Sequence, residues 1–314
     1  MFELNIKKCL WAVLAIAALA TAAAAQEAAV HTPESPVLEA DAMPPRRPPA
    51  FLVGTAGTWR PEANFDDSAG KVGYSDSEIF VRSNLPLSEN AFLSPMLTYR
   101  HTYFSWSSGH DFLPKRNPWT DLHRLAFGAD LRYVFNEELS ALVGAGMGVA
   151  GEANALADAW FGHARAALLV SPSEDLTVGM GVHWYTGLEY RRYIPLPYFH
   201  WRIAERWLLA TERGGVRLGF SATDALNLGA FGGYDGRRWR LGSGATPRKG
   251  YARLSGYKAG LDAKFDLTPA VSLRAAMGAD MFRRLSAEDR KGRRVARDKL
   301  GTEPFFEVGL NVAF

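Results

Sequence analysis

Cysteine is almost missing from this sequence. The 314 residues contain one, Cys9, which lies in an N-terminal stretch that we predict is removed from the mature protein. A mature chain without thiols excludes a disulfide framework, cysteine metal sites and a cysteine nucleophile. Beyond the N-terminus there is also no apolar run of the roughly 18 residues that a membrane-spanning helix needs. A formal net charge of +3 is too small for a globally basic protein that binds nucleic acid.

The N-terminus has the parts of a secretory signal peptide. Lys7 and Lys8 precede the apolar stretch AVLAIAALATAAAA, and the small residues Ala23–Ala25 stand before Gln26. A membrane-anchor helix is the alternative, but this stretch is short and alanine-rich for a helix that needs roughly 20 apolar residues. We predict a cleaved signal peptide over 1–25, a Pro/Ala-rich periplasmic tail over 26–50 and one domain over 51–314.

From residue 51 onward, apolar and polar side chains alternate in many segments. In Leu139–Val149 the odd-numbered residues are all apolar, and most of the even-numbered ones are serine or glycine. In Phe306–Phe314 the even-numbered residues are Phe, Val, Leu, Val and Phe. A period of two is that of a β-strand with one apolar and one polar face. The chain is therefore predicted to be all-β.

The connections between these segments alternate between short and long. Tight turns such as 135–138 and 222–225 alternate along the chain with long polar loops, which we predict at 60–76, 107–120, 236–250 and 284–302. This layout is typical of an antiparallel up-and-down transmembrane β-barrel, in which all the long loops lie at one end. A soluble β-sandwich or lipocalin-like barrel has the same alternation and stays the alternative.

An even number of strands, about fourteen, is predicted for such a barrel. Twelve is the alternative, because the segments 206–211 and 216–221 are short. The predicted strands are 51–59, 77–85, 92–106, 121–134, 139–149, 158–170, 175–186, 193–202, 206–211, 216–221, 226–235, 251–265, 270–283 and 303–314. Aromatic residues gather at the strand ends, and we assign them to two girdles at the membrane interfaces. The loop-side girdle is predicted to contain Tyr103, Trp106, Trp119, Trp184, Trp239 and Tyr251, and the turn-side girdle Tyr133, Phe135, Trp201, Phe265 and Phe314.

Two features of the sequence resemble known families. The final strand, ending in Val312-Ala313-Phe314, resembles the last strand of bacterial outer-membrane β-barrels. That resemblance implies that it is a signal read by the barrel-assembly machinery, carried by Phe306, Val308, Leu310, Val312 and Phe314. The stretch YIPLPYFHWRIAERWLL (Tyr193–Leu209), together with Leu85–Leu87, is similar to the family called domain of unknown function 6268. This second resemblance implies a fold and no activity.

The polar faces of the predicted strands would line the barrel interior. Buried polar groups there need water or partners. One hypothesis is a narrow barrel filled by salt bridges and water, and the other is a passive, porin-like channel whose net-basic lining prefers anions. The predicted lining residues are Arg100, Arg124, Asp130, Arg132, His163, Arg165, His183, His200, Arg202, Arg217, Lys258, Asp262, Lys264, Arg274, Asp280 and Glu307.

Candidates for other chemistry are weaker. His163 and His183 are predicted on adjacent strands, but two histidines alone make a poor metal site, and no cofactor is predicted. A lipid- or lipopolysaccharide-modifying enzyme is the alternative function, in which His110 and Asp111 would act beside Ser105, Ser107 or Ser108.

The predicted long loops are rich in arginine. In a cytosolic chain such runs suggest nucleic-acid binding, but export makes no nucleic acid the prediction. Facing the outer leaflet, they would bind lipopolysaccharide phosphates. The residues assigned to this contact are Arg237, Arg238, Arg240, Arg293 and Arg294. Outer-membrane lipid is thus the predicted partner, and the cell outer membrane the predicted location.

Overall fold

The computed structural model describes residues 51–114, 117–188, 192–212 and 214–314. The predicted signal peptide and tail, residues 1–50, lie outside this part of the chain. The described strands are β1 (Phe51–Asn64), β2 (Lys71–Ser83), β3 (Leu85–Pro86), β4 (Ala91–Trp106), β5 (Asp121–Val134), β6 (Leu139–Gly151), β7 (Trp160–Ser173), β8 (Leu176–Gly187), β9 (Arg192–Ala204), β10 (Trp207–Glu212), β11 (Gly215–Ser221), β12 (Leu226–Arg240), β13 (Tyr251–Thr268), β14 (Val271–Glu288), β15 (Arg294–Leu300) and β16 (Glu303–Ala313). A short 3₁₀ turn, Ala153–Asp158, joins β6 to β7.

These strands form one closed antiparallel barrel. Within the described residues all but β3 and β15 build the wall, which gives fourteen wall strands, and each pairs with its neighbours in the chain. The wall closes where β1 pairs with β16, from Leu52 opposite Ala313 to Trp59 opposite Phe306. The Phe314 N–H donates to the Phe51 carbonyl at 2.9 Å beside this seam. The prediction of fourteen strands is confirmed, and the alternative of twelve is wrong because β10 and β11 are both present.

The outer face of the barrel is apolar. On β6, for example, Val143 and Met147 are 55% and 66% exposed, whereas Leu142, next to Val143 on the opposite face, is buried. The same alternation runs round the wall, and large exposed aromatics stand near both edges of this belt, including Trp59, Tyr103 and Trp160 on one side and Tyr133 and Phe265 on the other. An apolar outer belt between two aromatic girdles is what contact with a lipid bilayer requires.

We call the two ends of the barrel the turn end and the loop end. Tight connections such as 135–138, 222–225 and 269–270, and both termini of the barrel, lie at the turn end. The longer connections lie at the loop end, as predicted. No helix among the described residues is long and apolar enough to span a membrane.

Several predicted loops are in fact strand. β1 and β2 leave only 65–70 between them instead of 60–76, and β12 continues through Arg240. In the predicted loop 284–302, β14 continues to Glu288 and β15 pairs with it. In β12 and at the end of β14 the extensions break the simple apolar–polar alternation because both of their faces are covered by protein, so periodicity alone did not reveal them.

The strand extensions fold over the loop end. β13 and β14 have a bulge between Ser255 and Tyr257, and Phe282 opposite it has a positive φ of 52°. Bulges of this kind bend a hairpin and change which side chains point inward. As a result the tip of β12 reaches across the barrel, where Arg240 bridges to Gly151 of β6, although β7 to β11 separate the two strands in the wall.

A hydrophobic core fills the space beneath these extensions. Trp119 and Trp239 are each 2% exposed and pack edge-on against Phe104 at ring-centroid distances of 6.3 and 6.0 Å. The assignment of Trp106, Trp119 and Trp239 to a lipid-facing girdle is therefore wrong, because these rings pack inside the loop end. We call the hairpin residues 236–256 and the loop residues Phe65, Phe112 and Trp119 that pack with them the cap.

Candidate functional site

A group of buried charges lies directly below the cap. Asp76 of β2 accepts hydrogen bonds from Arg60 of β1 at 2.8 Å and from Arg237 of β12 at 2.6 Å. Arg237 also binds Asp235 through its Nε at 2.9 Å. We call this group the loop-end charge cluster, and its members are Arg60, Asp76, Asp235, Arg237, Asp280, Arg283 and Glu303.

The cluster joins side chains of β12, β14, β16, β1 and β2, which lie within one continuous stretch of the wall. Asp280 of β14 binds Arg60 and Arg283, and the guanidinium groups of these two arginines lie 4.4 and 4.6 Å from the ring centre of Tyr74. All of its members are less than 9% exposed. Charges this deeply buried are tolerated only when they are paired, so the cluster closes the loop end of the interior with fixed ion pairs.

One member of the cluster differs from the rest. Both carboxylate oxygens of Glu303 are buried and have no hydrogen-bond partner among the described residues. Its strand neighbour in β14 is Asp280, a second acid.

A second set of ion pairs lies along the inner wall in the middle of the barrel. Asp130 forms a bidentate pair with Arg165 at 2.7 and 2.5 Å. Asp262 accepts from Arg217 at 2.7 Å and from Arg274 at 2.9 Å, and Arg274 also reaches Glu307 at 3.3 Å. Arg274 pairs with acids of its two neighbouring strands. The Asp130–Arg165 and Arg217–Asp262 pairs instead reach over the strand between them, where Gly144 and Gly229 leave room for the side chains.

The remaining residues of the predicted lining are more scattered. Arg100 pairs with Glu78, and Arg124 places its guanidinium 3.9 Å from the ring centre of Phe161. Lys258 stands opposite Asp280 in the β13–β14 register, Arg132 lies half-buried on β5, and His200 is 9% exposed.

Two members of that lining stand at the rim. Arg202 faces Asp175 at 3.6 Å, and Lys264 faces Asp266 at 3.5 Å. The side chains of Arg202 and Lys264 are each more than a third exposed and lie at the turn end.

A small cavity lies beside the mid-barrel pairs. Arg217, Lys258, Arg274, Glu212 and Glu307 line it, and its volume is about 20 Å³. A space of this size holds about one water molecule.

The two predicted histidines do come together. The ring centres of His163 and His183 are 5.4 Å apart, and the Nδ1 atom of His183 lies 2.8 Å from the Tyr185 hydroxyl. The described residues contain no group of three or more His, Cys, Asp or Glu side chains that could hold a metal. The pair therefore belongs to the packing of the interior.

The residues considered for a hydrolase have backbone partners. The Ser107 hydroxyl accepts from the Lys71 N–H at 2.7 Å, and the Asp111 carboxylate accepts from the Ala69 N–H at 2.6 Å. The His110 ring packs on Trp106 at 5.0 Å. These contacts hold the loop after β4 against the loop after β1.

Three arginines predicted to face lipopolysaccharide lie inside the protein. Arg237, Arg238 and Arg240 are 4%, 2% and 7% exposed, because β12 continues into the cap where they bind acids, carbonyls and the Tyr251 ring. Buried guanidinium groups cannot reach a membrane surface, so this part of the prediction is wrong.

The other two arginines of that prediction, Arg293 and Arg294, are exposed. Arg293 pairs with Asp289 at 2.8 Å in the β14–β15 turn. Hydrogen bonds from the Arg293 and Lys291 backbone N–H groups, with the Arg293 side chain, lower the pKa of Asp289.

Sequence reasoning missed most of the loop-end charge cluster. Arg60 and Asp76 fell in the predicted loop 60–76. Arg283 follows the bulge beside Phe282, where the inward and outward positions shift by one residue, and Glu303 is the first residue of β16. The signal that could have found Asp76 is the even-numbered set Val72, Tyr74, Asp76 and Glu78, which continues the inward face of β2.

The last strand has the orientation that its sequence suggested. Phe306, Val308 and Leu310 are 46%, 57% and 37% exposed on the outer face, Val312 shares this face, and Phe314 at the turn end is 71% exposed. Glu307 pairs on the inner face with Arg274. Recognition of this strand by the assembly machinery stays a prediction.

The fold and its site define a transmembrane β-barrel with a capped, charged interior. The chain belongs to a family described as a domain of unknown function, DUF6268, whose model matches residues 62–313. No curated protein sequence matches it significantly.

Solved outer-membrane barrels share its general shape. The COG4313 outer membrane channel from Pseudomonas putida F1 is 12% identical, with 88% of this chain and 100% of that chain covered and a TM-score of 0.49. The toluene transporter TodX from Pseudomonas putida is 8% identical (87% and 91% covered, TM-score 0.46), and a FadL homologue from Pseudomonas aeruginosa is 12% identical (91% and 96% covered, TM-score 0.43). Likenesses at this level bear on neither activity nor substrate.

Proposed function

We propose that this protein is a passive channel of the outer membrane whose loop end is closed by the cap in the state described here. The observation that carries the proposal is a closed barrel with an apolar outer belt and an interior lined by ion pairs and polar groups. A barrel that served only as a structural element could fill its interior with apolar side chains, which need no hydration or pairing.

The cap is built so that it could move as a unit. Its main part is one long hairpin, 236–256, whose far end packs into the core through Leu241 and Ala245. The polar contacts of that end with the rest of the barrel include the Gly151 bridge, the bond from the Gly242 N–H to the Glu152 carboxylate at 2.5 Å, and the bond from the Thr246 N–H to the Pro118 carbonyl at 3.2 Å. Motion of such a lid on the microsecond-to-millisecond scale gates many proteins.

A preference for anions is the finer part of the proposal. The predicted lining contains more cations than acids, and the structure adds Arg60, Arg237 and Arg283 together with the acids Asp76, Glu78, Asp235 and Glu303. The excess of positive charge becomes smaller but keeps its sign. A net-positive lining raises the local concentration of anions.

Planar-bilayer recording tests the channel. We expect the refolded wild-type barrel to give rare, small conductance steps. Replacement of 241–250 by two glycines removes the tip of the cap, and we expect it to give larger and more frequent steps. Replacement of 289–293 by Asn-Gly is the matched control, since it shortens another loop-end turn that lies outside the core, and it should leave the conductance unchanged.

Two outcomes would contradict this proposal at different levels. Bilayers that stay silent with both the wild type and the cap-shortened variant would exclude a channel and favour a structural barrel. A reversal potential in a salt gradient that indicates cation preference would exclude only the net-basic lining.

The enzyme alternative has less support. The side chains of Ser107 and Asp111 are engaged by backbone N–H groups, which stabilise the loop rather than position a nucleophile. Lipid hydrolysis that is lost in His110→Ala while the folded barrel persists would revive it.

A further inference from the structure

The outer side of the loop end has a face of unpaired positive charge. Beyond the lipid belt, β13, β14 and β15 form a three-stranded extension. In its register Arg284 stands opposite Lys299, Ser286 opposite Arg297 and Glu288 opposite Arg294. Residues opposite each other in an antiparallel pair project from the same face, so these cations share one surface. We call Arg284, Arg294, Arg297 and Lys299 the basic face.

No acid neutralises the basic face. Glu288, the acid opposite Arg294, is 5% exposed and is bound by Arg238 at 2.6 Å, and Asp298 on the other face of β15 is 1% exposed. None of the four cations of the basic face forms an ion pair with a described residue, and three of them, on β15, are exposed. Partial burial and the charges of Arg294 and Arg284 lower the pKa of Arg297, which shows how close together these guanidinium groups lie. Such a concentration of like charge is unfavourable for the isolated protein.

The position of this face relative to the membrane is set by aromatic residues. Phe282 is 76% exposed and packs edge-on against Tyr257 at 6.5 Å, and Met277 and Leu261 below them belong to the lipid belt. Exposed aromatic rings of this kind mark the boundary between hydrocarbon and headgroups. Arg284 follows Phe282 by two residues, so the basic face begins where the headgroups begin.

We propose that the basic face binds the phosphate groups of phosphorylated lipids in the membrane leaflet at the loop end. Arginine and lysine form charge-assisted hydrogen bonds with phosphate oxygens. The cations are spread rather than convergent: strands lie about 4.8 Å apart and alternate residues about 7 Å apart. This arrangement suits several phosphates on a surface better than one phosphate held in a pocket.

This inference rests on the membrane insertion in the proposed function but does not depend on channel activity. Its test uses the full barrel refolded in neutral detergent and native mass spectrometry with bisphosphorylated lipid A as the probe. Dephosphorylated lipid A of the same acyl composition serves as the reference lipid. We expect the wild type to bind the phosphorylated lipid preferentially, with a preference that falls as salt is raised.

The double variant Arg297→Gln/Lys299→Gln removes two exposed cations of the basic face. Each Lys or Arg near an anionic surface contributes about fivefold in affinity. Loss of two such charges should therefore weaken the binding of the phosphorylated lipid by roughly 25-fold. The matched control is Arg248→Gln/Lys249→Gln, which also removes one arginine and one lysine at the loop end but from the exposed tip of the cap. That control should bind the lipid as the wild type does.

Three results would overturn the inference. Equal losses in the two double variants would mean that only the total charge matters. Equal binding of phosphorylated and dephosphorylated lipid by the wild type would exclude phosphate recognition. Displacement of the lipid by soluble tripolyphosphate at equimolar phosphate would show a free polyanion, and not a membrane lipid, to be the ligand.

Folding and conductance provide the remaining controls. Each variant is accepted only if it shows the wild-type heat-modifiable mobility in gels, and Arg284→Gln gives a second route if the double variant does not fold. Conductance is recorded in parallel. If the barrel does not conduct but still binds the phosphorylated lipid selectively, only the channel proposal is rejected. If the barrel conducts but does not bind the phosphorylated lipid selectively, only this inference is rejected.

Discussion

Single buried charges decide how the interior is held together. Asp280 of β14 joins Arg283 of its own strand to Arg60 of β1, on the other side of β16, and it is fully buried. Removing one partner of a buried pair leaves the other charge without compensation, which costs far more than the pair itself contributes. Glu303 is buried as deeply, yet its oxygens have no hydrogen-bond partner among the described residues.

The same chemical change should therefore have opposite consequences at these two acids. We expect Asp280→Asn to lower the free energy of unfolding by about 3–5 kcal/mol. Glu303→Gln, its matched control, should change it by less than about 1 kcal/mol or raise it, because an unpaired buried charge is removed. Urea unfolding of the refolded barrel in detergent, followed by tryptophan fluorescence, measures both. Equal destabilisation by the two variants would disprove the assigned pairing.

At the scale of the strand, close contact between neighbours limits side-chain size. Gly260 and Gly278 stand opposite each other on β13 and β14. A Cβ on Gly278 would lie 2.1 Å from the Ala259 carbonyl oxygen and 2.6 Å from the Gly260 Cα. Backbone atoms cannot rotate away as a side chain can. By contrast, Gly57 on the outer face of β1 has open space around the same position.

Gly278→Ala and Gly57→Ala form a matched pair for this element. Overpacking should make Gly278→Ala destabilising by about 1–3 kcal/mol. Gly57→Ala should be stabilising by roughly 0.5–1 kcal/mol, since it only removes the entropic cost of glycine in a strand. The midpoint of the heat-modifiable gel shift orders the three proteins. If Gly278→Ala melted at or above the wild type, the close packing of β13 on β14 would be wrong.

For the molecule as a whole, closure of the barrel rests on the seam between β1 and β16. Closure leaves no unpaired sheet edge, which a membrane-spanning sheet cannot have because lipid offers no hydrogen bonds. At this seam Val53 stands opposite Val312. Directly paired residues have Cα atoms about 4.5–5.5 Å apart, within the range of a disulfide.

Cysteines at this pair should report the closed state. We expect Val53→Cys/Val312→Cys to form a disulfide on mild oxidation of the folded barrel, detected as a change in gel mobility reversed by reductant. The offset pair Val53→Cys/Leu310→Cys places the two residues out of register and should remain reduced. Crosslinking of the offset pair in preference to the paired one would show that the register, and the seam, differ from this description.

The sequence by itself determined the wall of the barrel. Strict alternation in segments such as Leu139–Val149 and Phe306–Phe314 specified strands, their faces and their number, because a side-chain period of two is a local property that each segment carries alone. The mid-barrel partners Asp130 and Arg165 could be assigned to the interior for the same reason.

Only the tertiary structure decided how the loop end is closed. In the cap both faces of the strands are covered by protein, so apolar and polar residues no longer alternate there. At the bulge beside Phe282 the inward- and outward-pointing positions also shift by one residue. Arg237 and Arg238 therefore look like exposed loop residues in the sequence but lie among acids contributed by distant strands. Their burial depends on contacts between segments far apart in the chain, such as Arg240 with Gly151 and Arg237 with Asp76, and no local pattern records such contacts.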